Sequence, residues 1–179
     1  MTNGVADTIY IDVMLFIYYF LYPSTSDLSR KSRNFFHDIE NGRHVGIVST
    51  FSVMEFIGVI KAIISDSLKR KISDNETQSM KKVILDFIYS MGIILYDSDS
   101  LTIPQGSTSC SLFSECENLI EAAKPTLGAF DKKWHSLKGA DSLHVLFALR
   151  VNAQRFATFD DDFRGIDDKI KVLMIREEY

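Results

Sequence analysis

Short apolar segments rich in β-branched residues alternate along this chain with longer segments in which apolar residues recur at helical spacing. This alternation is typical of a parallel sheet that is covered by helices on both faces. We therefore expect an α/β fold, a three-layer α/β/α sandwich with a mostly parallel central sheet of about five strands. No linker divides the sequence, so residues 1–179 should form a single domain. The predicted strands are 8–11, 44–48, 92–96, 155–158 and 169–175.

Residues that start and stop helices divide the segments between these strands. Pro23 should end the first helix, and Gly42 should end the second in the left-handed conformation. Ser49 or Thr50 should cap the third helix, and Asp74 the fourth. The predicted helices are 13–21, 26–41, one from 50, 74–91, a long stretch broken at Pro125 and resuming over 127–134, and 140–152, with a loop over 97–107 and a short turn or helix over 160–165.

Composition excludes several classes of protein. The longest apolar run near the N-terminus, 13–22, is too short to span a membrane, and no basic leader precedes it. Cys110 and Cys116 lack a metal or redox spacing, so we expect reduced thiols in a cytoplasmic protein. The first strand is followed by no GxGxxG, GxxxxGK[ST] or DxD motif, which disfavours a dinucleotide fold, a P-loop enzyme and a phosphatase.

Four carboxylates are predicted to meet at one edge of the sheet. Asp12 ends the first strand, Glu55 lies early in the third helix, Asp141 begins the helix before the fourth strand, and Asp160 follows that strand. Strand carboxyl ends and helix amino ends share one edge in this architecture, and ligands bind there. The four acids are therefore our candidate catalytic and metal-binding residues.

An alternative is that each acid only caps a helix, because Asp is common at strand ends and helix starts. Four acids at one edge, with Asp12 inside an apolar run, favour a shared site. Clustered carboxylates repel one another unless a cation lies between them, and hard oxygen ligands suit Mg²⁺ or Mn²⁺. The net charge of −4 disfavours non-specific nucleic-acid binding, but bound cations would reverse the local sign.

Four segments carry a resemblance to a known family. They are IYIDVMLFIYYF (9–20), STFSVMEF (49–56), GADSLHVLFAL (139–149) and FATFDDDF (156–163). Their order and spacing resemble the PIN-domain family, especially its VapC-like toxin ribonucleases. The resemblance implies Mg²⁺- or Mn²⁺-dependent cleavage of single-stranded or structured RNA, with Asp12, Glu55, Asp141 and Asp160 as the acids. It also implies Asp162 as an auxiliary metal ligand, Thr158 as a site-lining hydroxyl, a small antitoxin protein as partner and a homodimer.

One position departs from the family pattern. Met14 stands two residues after the first acid, where the family usually has Asn or another polar residue. A thioether cannot orient a carboxylate or a metal-bound water, so a catalytically weakened PIN-like module that binds RNA or protein is the alternative function. His144 follows Asp141 by three residues and is a candidate site-lining residue, although a histidine packed within the helix layer is the more frequent case.

Overall fold

Five parallel strands form the centre of the protein. The computed structural model describes residues 6–96 and 139–179. The strands lie side by side in the order β3-β2-β1-β4-β5, and every neighbouring pair is parallel. They are β1 (Asp7–Ile11), β2 (His44–Ser49), β3 (Ile94–Tyr96), β4 (Arg155–Thr158) and β5 (Lys171–Met174).

Helices connect these strands and cover the sheet. In chain order they are α1 (Val13–Leu21), α2 (Asp27–Glu40), α3 (Thr50–Leu68), α4 (Asp74–Ser90), α5 (Gly139–Arg150), a 3₁₀ helix (Asp161–Ile166) and α6 (Ile175–Glu178). The expected α/β class and parallel five-stranded sheet are therefore confirmed. Within the described residues, no helix is both long enough and apolar enough to cross a membrane.

Two hydrophobic cores lie on opposite faces of the sheet because side chains alternate along each strand. Ile9 and Ile11 of β1 pack into the core formed with α1, α2, α3 and α4. Tyr10, between them, packs into the second core with Phe156 and the apolar residues of α5. The sheet is thus the middle layer of a three-layer α/β/α arrangement.

Local sequence signals explain several helix ends. Ser49 caps α3 by accepting a hydrogen bond from the Ser52 N–H, as expected. Gly42, just beyond α2, has a φ of 71°, the left-handed conformation predicted for it. The predicted cap of α4 was wrong by one residue. Ser73 is the N-cap, and Glu76 completes a capping box with it, so Asp74 is the first helical residue.

Three other predicted elements differ from the structure by two residues at one end. Strand β5 begins at Lys171 and ends at Met174, because Ile175 starts a short helix instead of extending the strand. Helix α5 includes Gly139 and ends at Arg150. Strand β3 is confined to Ile94–Tyr96, since Gly92 has a φ of 67° and ends the preceding helix. The predictions for 97–138, including Pro125 and both cysteines, lie outside the described residues.

Candidate active site

The order in which successive strands are added to the sheet reverses between β1 and β4, at their carboxyl ends. From β1 the strands proceed through β2 to β3 on one side, and they resume with β4 on the other side of β1. A crevice at such a reversal is where ligands bind in open parallel α/β sheets. Asp12 follows β1 directly, and Asp160 follows β4 after one intervening residue.

Asp12 is buried at this point, with 2% of its surface exposed. Its N–H donates to the Ala157 carbonyl at 3.0 Å, which extends the β1–β4 pairing by one residue. The same register brings Thr158 beside it, and the Thr158 hydroxyl donates to Asp12 Oδ2 at 2.6 Å. Asp12 occupies the N-cap position of α1 but makes no capping hydrogen bond through its side chain. The alternative that Asp12 only caps a helix is therefore not supported.

Burial raises the pKa of the Asp12 carboxyl from its ordinary value of 3.8 to about 6. The charge of His144 and the Thr158 hydrogen bond oppose this rise, whereas the charges of Glu55 and Asp160 add to it. The charges of two other predicted acids therefore act on Asp12 at this edge. An ionised Asp12 is costly for the fold, which is common for groups in functional sites.

Asp160 is held by the backbone that follows it. Its Oδ1 accepts a hydrogen bond of 2.9 Å from the Asp162 N–H, so Asp160 caps the 3₁₀ helix. Its own N–H donates to the Thr158 hydroxyl at 3.0 Å. Thr158 therefore links Asp12 and Asp160 directly. Asp162 is partly buried next to these residues.

Glu55 is oriented by a histidine from the opposite layer. It lies in the second turn of α3 and is partly exposed, with 33% of its side-chain surface accessible. His144 of α5 is 2% exposed, and its Nε2 lies 2.8 Å from Glu55 Oε2. The contact puts His144 beside one of the four acids, and the sequence had not indicated Glu55 as its partner. A role of His144 in lining the site stays a prediction.

Asp141 and Met14 are the two remaining candidates. Asp141 is partly buried in the first turn of α5, one turn before His144 and therefore on the same helix face. Met14 is partly buried and packs against the core shared by α1 to α4. A role of Met14 in lining the acid site stays a prediction.

Three buried hydroxyl groups behind His144 were missed at the level of sequence. They belong to Tyr10, Ser49 and Ser52. Ser52 precedes Glu55 by three residues on a helix, and Tyr10 precedes Asp12 by two residues on a strand, so each pair shares a face. These two spacings were the only indication in the sequence that Tyr10 and Ser52 lie near the acids. The sequence did not show that the start of α3 would lie beside the end of β1.

The chemistry of the site fits a divalent cation, while the positions of its side chains do not form a closed coordination sphere. Carboxylate oxygens are the ligands that Mg²⁺ and Mn²⁺ prefer. Across 6–96 and 139–179, however, no three His, Cys, Asp or Glu side chains are grouped so that they could hold a metal ion. The assignment of Asp12, Glu55, Asp141 and Asp160 as metal ligands therefore stays a prediction.

An apolar cleft lies elsewhere on the molecule. Its volume is about 480 Å³, and side chains of α1, α3 and α4 line it, including Phe20, Phe56 and Val83. None of the four acids contributes to its wall. The cleft has no group suited to acid–base or metal chemistry beyond Glu76, which pairs with Arg70 and Ser73. We therefore assign the candidate site to the sheet edge.

Fold and site together define a class: a three-layer α/β protein with a buried carboxylate at the point where the strand order reverses. This carboxylate makes no helix-capping hydrogen bond. No protein-family model matches the chain, and neither does any curated protein. The resemblance to PIN-domain ribonucleases therefore rests on the four sequence segments and on the order of their acids.

Proposed function

We propose that this chain is a Mg²⁺- or Mn²⁺-dependent endoribonuclease that cleaves single-stranded RNA at the edge formed by Asp12, Glu55, Asp141 and Asp160. The observation that carries the proposal is Asp12, an ionisable group buried at the strand-order reversal without a capping role. Burying an ionised carboxyl group lowers the stability of the fold, and such groups are concentrated at functional sites. The order of the four acids along the sequence supports the family assignment.

Residues next to the four acids hold the carboxylate groups in position for hydrolysis. Thr158 and the Asp162 N–H hold the oxygens of Asp12 and Asp160 in place, and His144 holds Glu55. A bound divalent ion would offset the repulsion between these carboxylates and the RNA phosphate and would make water a better nucleophile. Hydrolysis would bond the water oxygen to phosphorus and break the bond to the 3′ oxygen, which would take up a proton given up by the water, leaving a 5′-phosphate and a 3′-hydroxyl.

The biological role we propose is that of the toxin in a toxin–antitoxin pair, acting as a homodimer in the cytoplasm. A small antitoxin protein would silence it by binding. Induced expression should arrest growth, whereas Asp12→Asn at equal abundance should not. A short reading frame beside the gene whose product restores growth would support the pairing.

The experiment that tests the activity is cleavage of labelled single-stranded RNA with Mg²⁺, with Mn²⁺ and with EDTA. Cleavage is expected with either ion and not with EDTA. Asp12→Asn should abolish it while the melting temperature shows an intact fold, and Asp66→Asn on the outer surface of α3 is the matched control. Cleavage that EDTA does not inhibit would refute metal dependence, and equal activity of Asp12→Asn would refute the site.

A second candidate function is a PIN-like module that binds RNA or protein without cleaving it. The observation that favours it is the absence, among the described residues, of three ligating side chains grouped around one point. This candidate predicts that wild-type protein retains RNA in EDTA and in Mg²⁺ without producing fragments. The same cleavage assay, run beside a binding assay, therefore separates the two functions.

A further inference from the structure

A buried polar network lies directly behind Glu55. His144 Nδ1 is 3.3 Å from the hydroxyl of Tyr10 and 3.3 Å from that of Ser52. The Tyr10 hydroxyl also lies 2.8 Å from Ser49 Oγ and 3.1 Å from Ser52 Oγ, and the two serine oxygens are 2.9 Å apart. The hydroxyls thus form a closed triangle against one nitrogen of the imidazole, while the other nitrogen faces Glu55.

The hydrogen-bonding capacity of these groups fixes the orientation of the ring. An ionised Glu55 can only accept, so His144 Nε2 must carry the hydrogen of the 2.8 Å contact. Burial raises the pKa of Tyr10 above its ordinary range, so its hydroxyl keeps its proton. The hydroxyl groups of Tyr10 and Ser52 can donate to Nδ1 of a neutral ring or accept from Nδ1 of a charged one. Each ring nitrogen then has a partner, and a buried imidazole with both nitrogens engaged has little freedom to rotate.

The order carboxylate, histidine and hydroxyl also occurs in serine hydrolases, where the hydroxyl is the nucleophile. Burial argues against that role here. Ser52 is 1% exposed and Ser49 is fully buried, so no substrate carbonyl can reach either oxygen. The hydroxyls therefore support the ring, and the only member of the network that reaches solvent is Glu55.

We propose that His144 is a positioning residue that holds the Glu55 carboxylate in the orientation needed to bind a divalent cation, with Tyr10, Ser49 and Ser52 as its buried support. The inference rests on the proposed function, since it takes Glu55 as a metal ligand. Groups that orient a ligand in this way typically change metal affinity about 10- to 100-fold when they are removed. The carboxyl group would otherwise sample several rotamers at the surface of α3.

Two substitutions of the same histidine test the proposal. The amide nitrogen of Gln can reach the position of Nε2, whereas Asn extends only as far as Nδ1. We expect His144→Asn to weaken Mn²⁺ binding by about 10- to 100-fold, measured by titration calorimetry on the whole chain. His144→Gln should bind close to the wild-type value. His37 on α2 contacts Glu40 at 3.4 Å on the surface, so His37→Asn is the matched control and should change nothing.

A double variant tests whether His144 acts through Glu55. In a Glu55→Gln background the further change His144→Asn should cause no additional loss of Mn²⁺ affinity. Losses that multiply would mean that His144 contributes independently, which would overturn the proposal. If neither His144 variant folds, the pair Tyr10→Phe and Ser52→Ala removes both hydroxyls from Nδ1 and should itself weaken Mn²⁺ binding. Unchanged binding in that protein would also overturn the proposal.

The outcomes separate this inference from the proposed function. If wild-type protein binds no Mn²⁺, the metal site fails and the role of His144 fails with it. If wild-type protein binds Mn²⁺ and requires Asp12, but His144→Asn and His144→Gln bind it equally well, the ribonuclease site stands and only the positioning role is refuted.

Discussion

Replacing the buried Asp12 by Asn should change how stability depends on pH. The folded state raises the pKa of this carboxyl from 3.8 to about 6. Between these values the folded protein keeps a proton that the unfolded chain has lost. The free energy of unfolding therefore decreases as pH rises from about 3.8 to about 6. The stabilisation from the protonated carboxyl is fully present only below pH 3.8.

The size of the effect follows from the two pKa values. The difference between 3.8 and about 6 corresponds to about 3 kcal/mol of unfolding free energy, at about 1.4 kcal/mol for each pH unit. About 2 kcal/mol of this should develop between about pH 4.5 and pH 7. Asn has nearly the same shape and no charge, so the variant lacks this penalty. Its amide can still accept the Thr158 hydrogen bond.

The assay is urea unfolding of both proteins in EDTA at several pH values, with the difference in unfolding free energy plotted against pH. Titrations common to both proteins cancel in that difference. Relative to wild type, Asp12→Asn should gain about 2 kcal/mol between about pH 4.5 and pH 7. Asp66→Asn removes a carboxylate that is 83% exposed and should not reproduce this slope. A flat difference for Asp12→Asn would refute the claim that an ionised Asp12 destabilises the folded protein.

Three further predictions concern metal, core and cap. Mn²⁺ at about 100 times its Kd should stabilise wild-type protein by about 2.7 kcal/mol in thermal unfolding, and no shift with Mn²⁺ or Mg²⁺ would contradict a cation site. Because Met14 packs against the core, Met14→Asn should lose about 1 to 3 kcal/mol in urea unfolding with an unchanged Mg²⁺ requirement; a lower requirement would instead place this residue in the site. Ser73→Ala should cost about 1 kcal/mol in the same assay by removing the α4 cap, without affecting cleavage, and an unchanged stability would refute the capping box.

Much of the fold could be predicted from local patterns. The bounds of α1 and β4 were predicted correctly, because an apolar helix ended near Pro23 and a short β-rich run preceded Asp160. Parallel pairing followed from the alternation of strands and helices. The end of β5 could not be predicted in this way, since 172–175 is apolar throughout and nothing in it indicates that Ile175 starts a helix.

The site was predictable only as a set of residues at one edge. Topology was enough to bring Asp12 and Asp160 to one edge of the sheet. The structure shows that β1 and β4 are neighbours, and their register places Thr158 between the two acids. The contact between His144 and Glu55 depends on how α3 and α5 are aligned above the sheet, which is set by core packing. Sequence spacing carries no information about that alignment, so the partner of the histidine could not be named.

The most direct test of the central claim is the anomalous scattering of crystals grown with Mn²⁺. The account predicts one strong anomalous peak at the carboxyl edge of β1 and β4, within ligand distance of Asp12 and Asp160, and no such peak in crystals of Asp12→Asn. A fully occupied peak elsewhere, or no peak at this edge in wild-type crystals, would contradict a metal site built on these acids.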